Sequence, residues 1–100
     1  MSINRLMATK IANEKLELLK KDIGLDLKII EEDTIETDFY LVFFYNSKEY
    51  IERGDLSYAL AGNSPFIIDK IKGNIYETGT ANGIEFYVKD FEEKVLPLLV

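Results

Sequence analysis

The stretch that decides the fold is LAGNSPFIIDK, residues 60–70. Gly62 and Asn63 adopt positive φ angles at little cost, which suits the end of a helix. Pro65 has its φ angle already fixed and restricts Ser64 to extended geometry, so the chain should enter a strand here. The three apolar residues that follow are typical of a buried strand. This stretch fixes backbone geometry, and it contains no side chain suited to nucleophilic attack or strong metal ligation.

The residues that follow predict a hairpin. Residues 65–69 form its first strand, Lys72-Gly73-Asn74 its turn, and residues 75–78 its second strand. Aspartate and asparagine side chains in such turns hydrogen-bond to the nearby backbone. We therefore expect a structural role for these residues of the motif: Gly62, Asn63, Pro65, Asp69, Gly73 and Gly79.

Residues 39–95 carry a resemblance to a known family. The positions that carry it are Ala61-Gly62-Asn63-x-Pro65-Phe66-Ile67-Ile68-Asp69-Lys70, Gly73 with Ile75, Gly79-Thr80 and Glu85-x-Tyr87, preceded by Tyr50-Ile51-Glu52 and Gly54-Asp55. In these positions the chain resembles the YrhB-like domain, immunity protein family thirty-five, which is linked to bacterial polymorphic toxins. The first helix and strand match by pattern, and Asn82-Gly83 replaces the proline often seen before the last helix. The resemblance implies a protein that binds and neutralises a cognate toxin.

Length and composition indicate one folded domain, residues 1–100. A chain of 100 residues with 47% hydrophobic residues can bury about two-thirds of its unfolded-chain surface. No window approaches the roughly 18 apolar residues of a membrane span, and Asn4, Asn13 and Glu14 interrupt any signal-peptide core. Cysteine is absent, so disulfides and thiol chemistry are excluded. We therefore expect a cytoplasmic protein that does not bind membranes.

The charge distribution points to a basic partner. The net charge is −6, and nucleic-acid affinity rests on Lys and Arg neutralising phosphates, so we expect no nucleic-acid binding. Residues 1–23 hold five basic and three acidic side chains, whereas residues 24–60 hold three basic and nine acidic ones. One region therefore carries the imbalance, and a positively charged protein is its natural complement.

The first part of the chain predicts a helix and a strand. Apolar residues at steps of three and four predict a helix from Ser2, as its cap, to Ile23, with Gly24 as its stop. Alternation over residues 25–29 predicts a half-buried strand, and residues 31–38 a polar connection.

The middle and end of the chain predict further elements. Residues 39–45 are apolar throughout, which predicts a central strand covered on both faces, or covered on one and sticky on the other. Residues 46–53 permit no firm prediction. Asp55 can cap a short helix that Gly62 ends, and Asn82 can cap a final amphipathic helix that Pro97 stops. The order of elements predicts an α+β domain with an antiparallel sheet of about four strands and both long helices on one face.

The residue inventory argues against catalysis. The chain has no histidine and no cysteine, so neither Ser–His nor Cys–His nucleophile pairs nor the usual zinc sites can form. Neither a Gly-x-Ser-x-Gly elbow nor a phosphate-binding glycine loop is present. We expect no enzymatic activity and no cofactor; an unexpected carboxylate site is the minor alternative.

Five carboxylates occur within eight residues, and several interpretations stay open. Calcium binding lacks the EF-hand spacing, and nothing identifies a glycosidase acid with a raised pKa. The side chains could instead solvate a hairpin connection, or form an anionic docking surface for a basic toxin. The candidate partner-binding residues are Glu31, Glu32, Asp33, Glu36, Asp38 and Tyr40.

Aromatic and apolar residues leave two further alternatives. The aromatic residues of 39–45 should pack in the core, with Tyr40 or Tyr45 partly exposed, because a nucleic-acid stacking platform needs a basic groove. The apolar tail, residues 96–100, should pack down or form an association surface, so we expect a monomer or weak homodimer. A small chaperone-like or stress-related protein, a role also suggested for this family, is the alternative function.

Overall fold

The structure is a computed structural model that describes residues 2–100. Helix α1 spans Arg5–Ile23, and the Asn4 side chain caps it by accepting a hydrogen bond from the Met7 N–H. The cap thus lies two residues later in the chain than Ser2, the predicted cap. Gly24 ends it as predicted, in a left-handed conformation with φ of 82°.

The strands form two antiparallel sheets. The strands are β1 (Leu27–Ile29), β2 (Ile35–Glu36), β3 (Tyr40–Phe43), β4 (Tyr45–Ser47), β5 (Phe66–Asp69) and β6 (Ile75–Glu77). The larger sheet has the order β2-β3-β5-β6, and β1 pairs with β4 in a separate two-stranded sheet. The α+β class, the four-stranded antiparallel sheet and the hairpin of β5 and β6 are confirmed.

The apolar run of residues 39–45 is divided between the two sheets. Strand β3 ends at Phe43 and β4 begins at Tyr45, and the carbonyl of the intervening Phe44 accepts a hydrogen bond from the Ile30 N–H at 2.8 Å. The prediction of one continuous strand was therefore wrong. An unbroken apolar run contains no residue that marks such a break.

All four residues of β3 are buried, and they alternate between two cores. Leu41 and Phe43 pack with α1, whereas Tyr40 and Val42 pack with Phe91 on the opposite side of the sheet. Of the two alternatives predicted for this segment, the structure shows the first for β3, which is covered on both faces.

The two long helices lie on opposite faces of the sheet. Helix α1 packs on one face through Ala8, Ala12 and Leu16, while α3 (Ile84–Lys94) packs on the other through Phe91. The prediction that both helices share one face was wrong. The physical reason is that β3 and β5 are apolar on both sides, so each face needs its own cover.

Short helical elements connect β4 to β5. Ser47 caps α2 (Lys48–Arg53), which occupies the segment for which the sequence permitted no prediction. Asp55 caps a short helix as predicted, but this helix is a 3-10 helix, Leu56–Tyr58, and it ends before Gly62. Gly62 instead takes a positive φ of 76° in the loop that leads to β5.

The C-terminal segment differs from the prediction at both ends of α3. Gly83, and not Asn82, occupies the cap position of α3. Helix α3 ends at Lys94, and Pro97 lies in the first turn of a further short helix, α4 (Leu96–Leu99). In the apolar tail, Leu96 and Leu99 pack against the core on the α3 side, while Leu98 and Val100 are exposed.

Candidate partner-binding surface

The acidic segment, residues 31–38, is more structured than a plain connection. Glu31–Asp33 form a 3-10 helix, and Ile35–Glu36 form β2 at the edge of the four-stranded sheet. The five acidic residues that the sequence predicts to bind a partner are all exposed.

Strand β2 sends its two side chains to opposite sides of the sheet. Ile35 lies opposite Val42, which packs on the α3 side, and Glu36 lies opposite Leu41, which packs on the α1 side. Glu36 therefore meets cations of this chain. Its carboxylate accepts hydrogen bonds from Lys70 Nζ at 2.6 Å and Arg5 Nη1 at 3.2 Å. These two bonds lower the pKa of Glu36.

The five carboxylates differ in whether they have a cation partner. Glu31 lies 3.8 Å from Arg5, so Arg5 and Lys70 balance the charges of Glu31 and Glu36. Within residues 2–100, the structure shows no ion pair for Glu32, Asp33 or Asp38. These three carboxylates are the members of the segment that face solvent uncompensated.

Tyr40, a predicted partner-binding residue, lies in the core. Only 4% of its surface is exposed, its ring packs edge-to-face on Phe91 with centroids 5.2 Å apart, and its hydroxyl donates to Glu92 Oε2 at 2.6 Å. Burial, reinforced by the bond to Glu92, raises the pKa of Tyr40 to about 12. Tyr45 is also buried. The predicted partial exposure of these tyrosines was wrong, and Tyr40 offers no contact area to a partner.

Helix α3 adds carboxylates that lie outside the acidic segment. Glu85, Glu92 and Glu93 are exposed and lie on the flank of α3 that borders Ile35. The available signal was their spacing of seven and eight residues, which places side chains on one side of a helix. About fifty residues or more separate these carboxylates from β2 in the sequence, which concealed their proximity to the acidic segment.

The motif around residues 60–66 is tied to the rest of the fold by hydrogen bonds. Asn63 Nδ2 donates to the Tyr45 carbonyl at 2.5 Å, and Thr78 Oγ1 donates to the Pro65 carbonyl at 2.5 Å. A groove of about 360 Å³ lies beside this loop, with Lys15 above the Phe66 ring at 5.4 Å. The Asn63 side chain and the Pro65 carbonyl are therefore both bonded within this chain.

Asp69 organises the turn between β5 and β6. It is completely buried, and its carboxylate accepts backbone N–H bonds from residues 71–74 at distances of 2.5 to 3.2 Å. The two glycines that follow it in the motif lie in tight surroundings. A Cβ atom on Gly73 would collide with the Ile3 side chain, and one on Gly79 would lie 2.6 Å from the Tyr87 hydroxyl.

Two further observations concern binding chemistry in the described part of the chain. Across residues 2–100, no three or more acidic side chains converge in a way that could hold a metal ion. Over the same residues, no helix combines the length and apolar character that crossing a membrane requires.

Comparisons with known proteins place the chain in a family. No solved structure gives a significant match. The "Uncharacterized protein YrhB" of Escherichia coli (strain K12) is 48% identical over 52 residues, which is 52% of this chain and 55% of that protein. The chain thus spans about half the length of the curated relative that it matches. The model of the family described as Immunity protein 35 matches residues 7–90, which includes nearly all of α1 as well as the motif. This match covers most of the sequence, and the chain belongs to the Immunity protein 35 family.

Proposed function

We propose that this protein neutralises a cognate bacterial toxin by binding it and occluding its active site, without catalysing a reaction. Membership of the Immunity protein 35 family is the observation that carries the proposal. The protein acts in the cytoplasm, as a monomer or weak homodimer, and its partner is a basic toxin domain. If the toxin is a nuclease, an acidic surface competes directly with its phosphate substrate.

The acidic segment is suited to this task because it is held in place before binding. Pairing of β2 with β3 fixes its backbone, and the bonds of Glu36 to Arg5 and Lys70 tie it to α1 and to the end of β5. A surface that is already ordered loses less conformational entropy on binding. Glu32, Asp33 and Asp38 would supply the charge that a basic partner meets.

The proposal is tested with the toxin encoded beside the gene for this protein. Co-expression should restore growth of cells that carry the toxin, and purified protein should retain the toxin in a pull-down. The variant Glu32→Gln/Asp33→Asn/Asp38→Asn should bind at least about tenfold more weakly, because close charge pairs across interfaces are worth 1.5 kcal/mol or more.

The matched control removes the same number of charges from α1. Glu14→Gln/Glu17→Gln/Asp22→Asn alters three exposed acidic side chains of α1, outside the acidic segment, and should bind the toxin like the wild type. Equal affinity of both variants for the toxin would show that the acidic segment does not contribute to toxin binding. Failure of the wild-type protein to bind or protect would overturn the proposed function.

A chaperone-like role is the second candidate, and the exposure of large apolar side chains favours it. Leu6 is 79% exposed, Leu18 is 66% exposed and Leu98 is 83% exposed. Scattered apolar residues of this kind are common on protein surfaces, so the observation is weaker than family membership. Suppression of the aggregation of an unrelated client at equimolar ratio would support this role, and no suppression would count against it.

A further inference from the structure

An apolar groove lies between β2 and α3, on the side of the sheet opposite α1. Its floor is formed by Ile35, Ile84 and Val88, and its volume is about 580 Å³. Ile35 is 42% exposed although it is a large aliphatic side chain. Its exposure follows from the alternation of β2, which directs it to the α3 side at the edge of the sheet. The floor therefore presents apolar surface that this chain leaves uncovered.

The rim of this groove is acidic. Glu85, Glu92 and Glu93 border it from α3. Lys89 is the cation on the same rim, and its Nζ lies 3.9 Å from Glu93 Oε1. Three carboxylates against one ammonium leave the α3 rim of the groove with net negative charge.

One carboxylate of the rim, that of Glu92, is oriented by a hydrogen bond from the protein core. The buried Tyr40 hydroxyl donates to Glu92 at 2.6 Å, and the Tyr40 ring is held by Phe91. Glu92 is exposed, yet its position is fixed by a group in the core. A charge fixed in this way is available to a partner at a lower cost in side-chain entropy than a freely rotating one.

We propose that the β2–α3 groove receives an apolar side chain of the cognate toxin that is flanked by lysine or arginine residues. This inference rests on the proposed function and names the surface that carries it. Protein interfaces commonly combine an apolar centre with a polar rim, and a few buried side chains supply most of the affinity. The acidic rim selects a basic segment, and the floor of Ile35, Ile84 and Val88 accepts its apolar anchor.

Charge also decides against the other occupants of this groove. A second copy of the chain would bring an identical acidic rim and the same net charge of −6 against it. An unfolded apolar client would gain nothing from the carboxylates. A basic toxin surface with an apolar side chain can cover the apolar floor and pair with the carboxylates of the rim.

Two variants of the groove test the proposal. Ile35→Arg places a cation on the exposed floor, and Glu85→Lys/Glu93→Lys reverses the charge of the rim. Calorimetric titration with the toxin encoded beside the gene should show each variant binding at least about tenfold more weakly than the wild type, because like charges at an interface repel.

Matched controls come from a groove of α1 that is similar in kind. That groove has a volume of about 670 Å³ and is lined by Leu6 and Met7, with Glu14 and Glu17 beside them. Leu6→Arg and Glu14→Lys/Glu17→Lys make the same chemical changes there and should bind within about twofold of the wild type. Thermal unfolding of all four variants shows whether each remains folded.

The outcomes separate the inference from the proposed function. Loss of affinity in the folded groove variants, with affinity retained in the controls, supports the groove as the anchor site. Normal binding by the folded groove variants overturns the groove and leaves the immunity role standing. Absence of binding by the wild-type protein overturns both.

Discussion

Asp69 shows how a single buried charge can be a structural residue. Its side chain is 0% exposed, and the carboxylate is surrounded by backbone amides of residues 71–74. Burying a carboxylate is costly unless hydrogen bonds replace the water it loses. The turn between β5 and β6 supplies those bonds, so the charge and the turn stabilise each other.

Replacing Asp69 should therefore unfold the hairpin turn. Asp69→Ala leaves several amides without an acceptor and should lower the free energy of unfolding by about 2–4 kcal/mol. Asp69→Asn keeps one side-chain acceptor and should lower the free energy of unfolding clearly less than Asp69→Ala does. Urea unfolding of the three proteins measures the difference, and an alanine variant as stable as the wild type would contradict the role given to this carboxylate.

Tyr40 offers a second prediction at the scale of one residue. Tyr40→Phe keeps the ring on Phe91 but removes the bond to Glu92, and should cost about 1 kcal/mol. The folded-state pKa of Tyr40, about 12, lies above the ordinary value of 10.0. Unfolded chains therefore lose this proton first, so the stability that the neutral phenol contributes is complete below pH 10 and is lost as pH rises toward 12.

The pH dependence of the unfolding free energy separates the contribution of the Tyr40 hydroxyl from that of its ring. Between pH 9 and pH 11 the wild type should lose more stability than Tyr40→Phe, as measured by urea unfolding at each pH. Other groups that titrate in this range are common to both proteins and cancel in the comparison. Parallel losses in the two proteins would show that Tyr40 does not titrate as described.

At the scale of elements, β2 is linked to α1 and β5 mainly through Glu36. Its pKa is lowered from the ordinary value of 4.5 by hydrogen bonds from Lys70 and Arg5. The stability this carboxylate contributes is therefore present above pH 4.5 and is lost as pH falls through the lowered pKa. Glu36→Gln should be less stable than the wild type at pH 7, and the difference should shrink when unfolding is measured at pH 3.

Glu32→Gln is the control for that experiment. Glu32 is exposed and shows no ion pair among residues 2–100, so its replacement should change stability little at either pH. Because the pairs of Glu36 are near the surface, 0.5 M salt should also reduce the Glu36→Gln effect. A difference for Glu36→Gln that grows on acidification would contradict the ion-pair explanation.

The elements also show which parts of the fold the sequence could predict. Local signals were sufficient for the stop of α1 at Gly24, the cap at Asp55 and the hairpin of β5 and β6, because glycine, aspartate and proline act on their immediate neighbours. The apolar run of residues 39–45 indicated a central strand and left open whether one or both of its faces are covered; in the structure both faces of β3 are covered. It did not indicate the break at Phe44, because the partners of β3 and β4 come from distant parts of the chain.

The errors in the predicted fold and binding surface concern contacts between residues that are far apart in the sequence. That α1 and α3 lie on opposite faces depends on how the whole chain crosses the sheet, which the periodicity of each helix does not specify. The same holds for the partner-binding surface. Residues 31–38 were identified by their local charge density, whereas the pairing of Glu36 with Lys70 and the approach of Glu92 to Tyr40 arise from tertiary contacts.

For the whole molecule, the decisive property is where unpaired negative charge remains. Nine acidic side chains occur in residues 24–60. Five of them form ion pairs with this chain's own cations, namely Asp26, Glu31, Glu36, Glu49 and Glu52. Asp55 caps a 3-10 helix. In the described part of the chain, the carboxylates of this region that form no ion pair are Asp55 and three members of the acidic segment, Glu32, Asp33 and Asp38.

This distribution predicts a strong salt dependence of toxin binding. Carboxylates concentrated at one place steer a basic partner, and salt screens this attraction over a Debye length of about 10 Å at 0.1 M. In stopped-flow measurements the association rate constant should fall by about tenfold or more between 0.05 M and 0.5 M NaCl, while the dissociation rate changes much less. Glu32→Gln/Asp33→Asn/Asp38→Asn should flatten this dependence, whereas Glu14→Gln/Glu17→Gln/Asp22→Asn should preserve it. An association rate that is indifferent to salt in the wild type would mean that the toxin is not recognised through the negative charge of this protein.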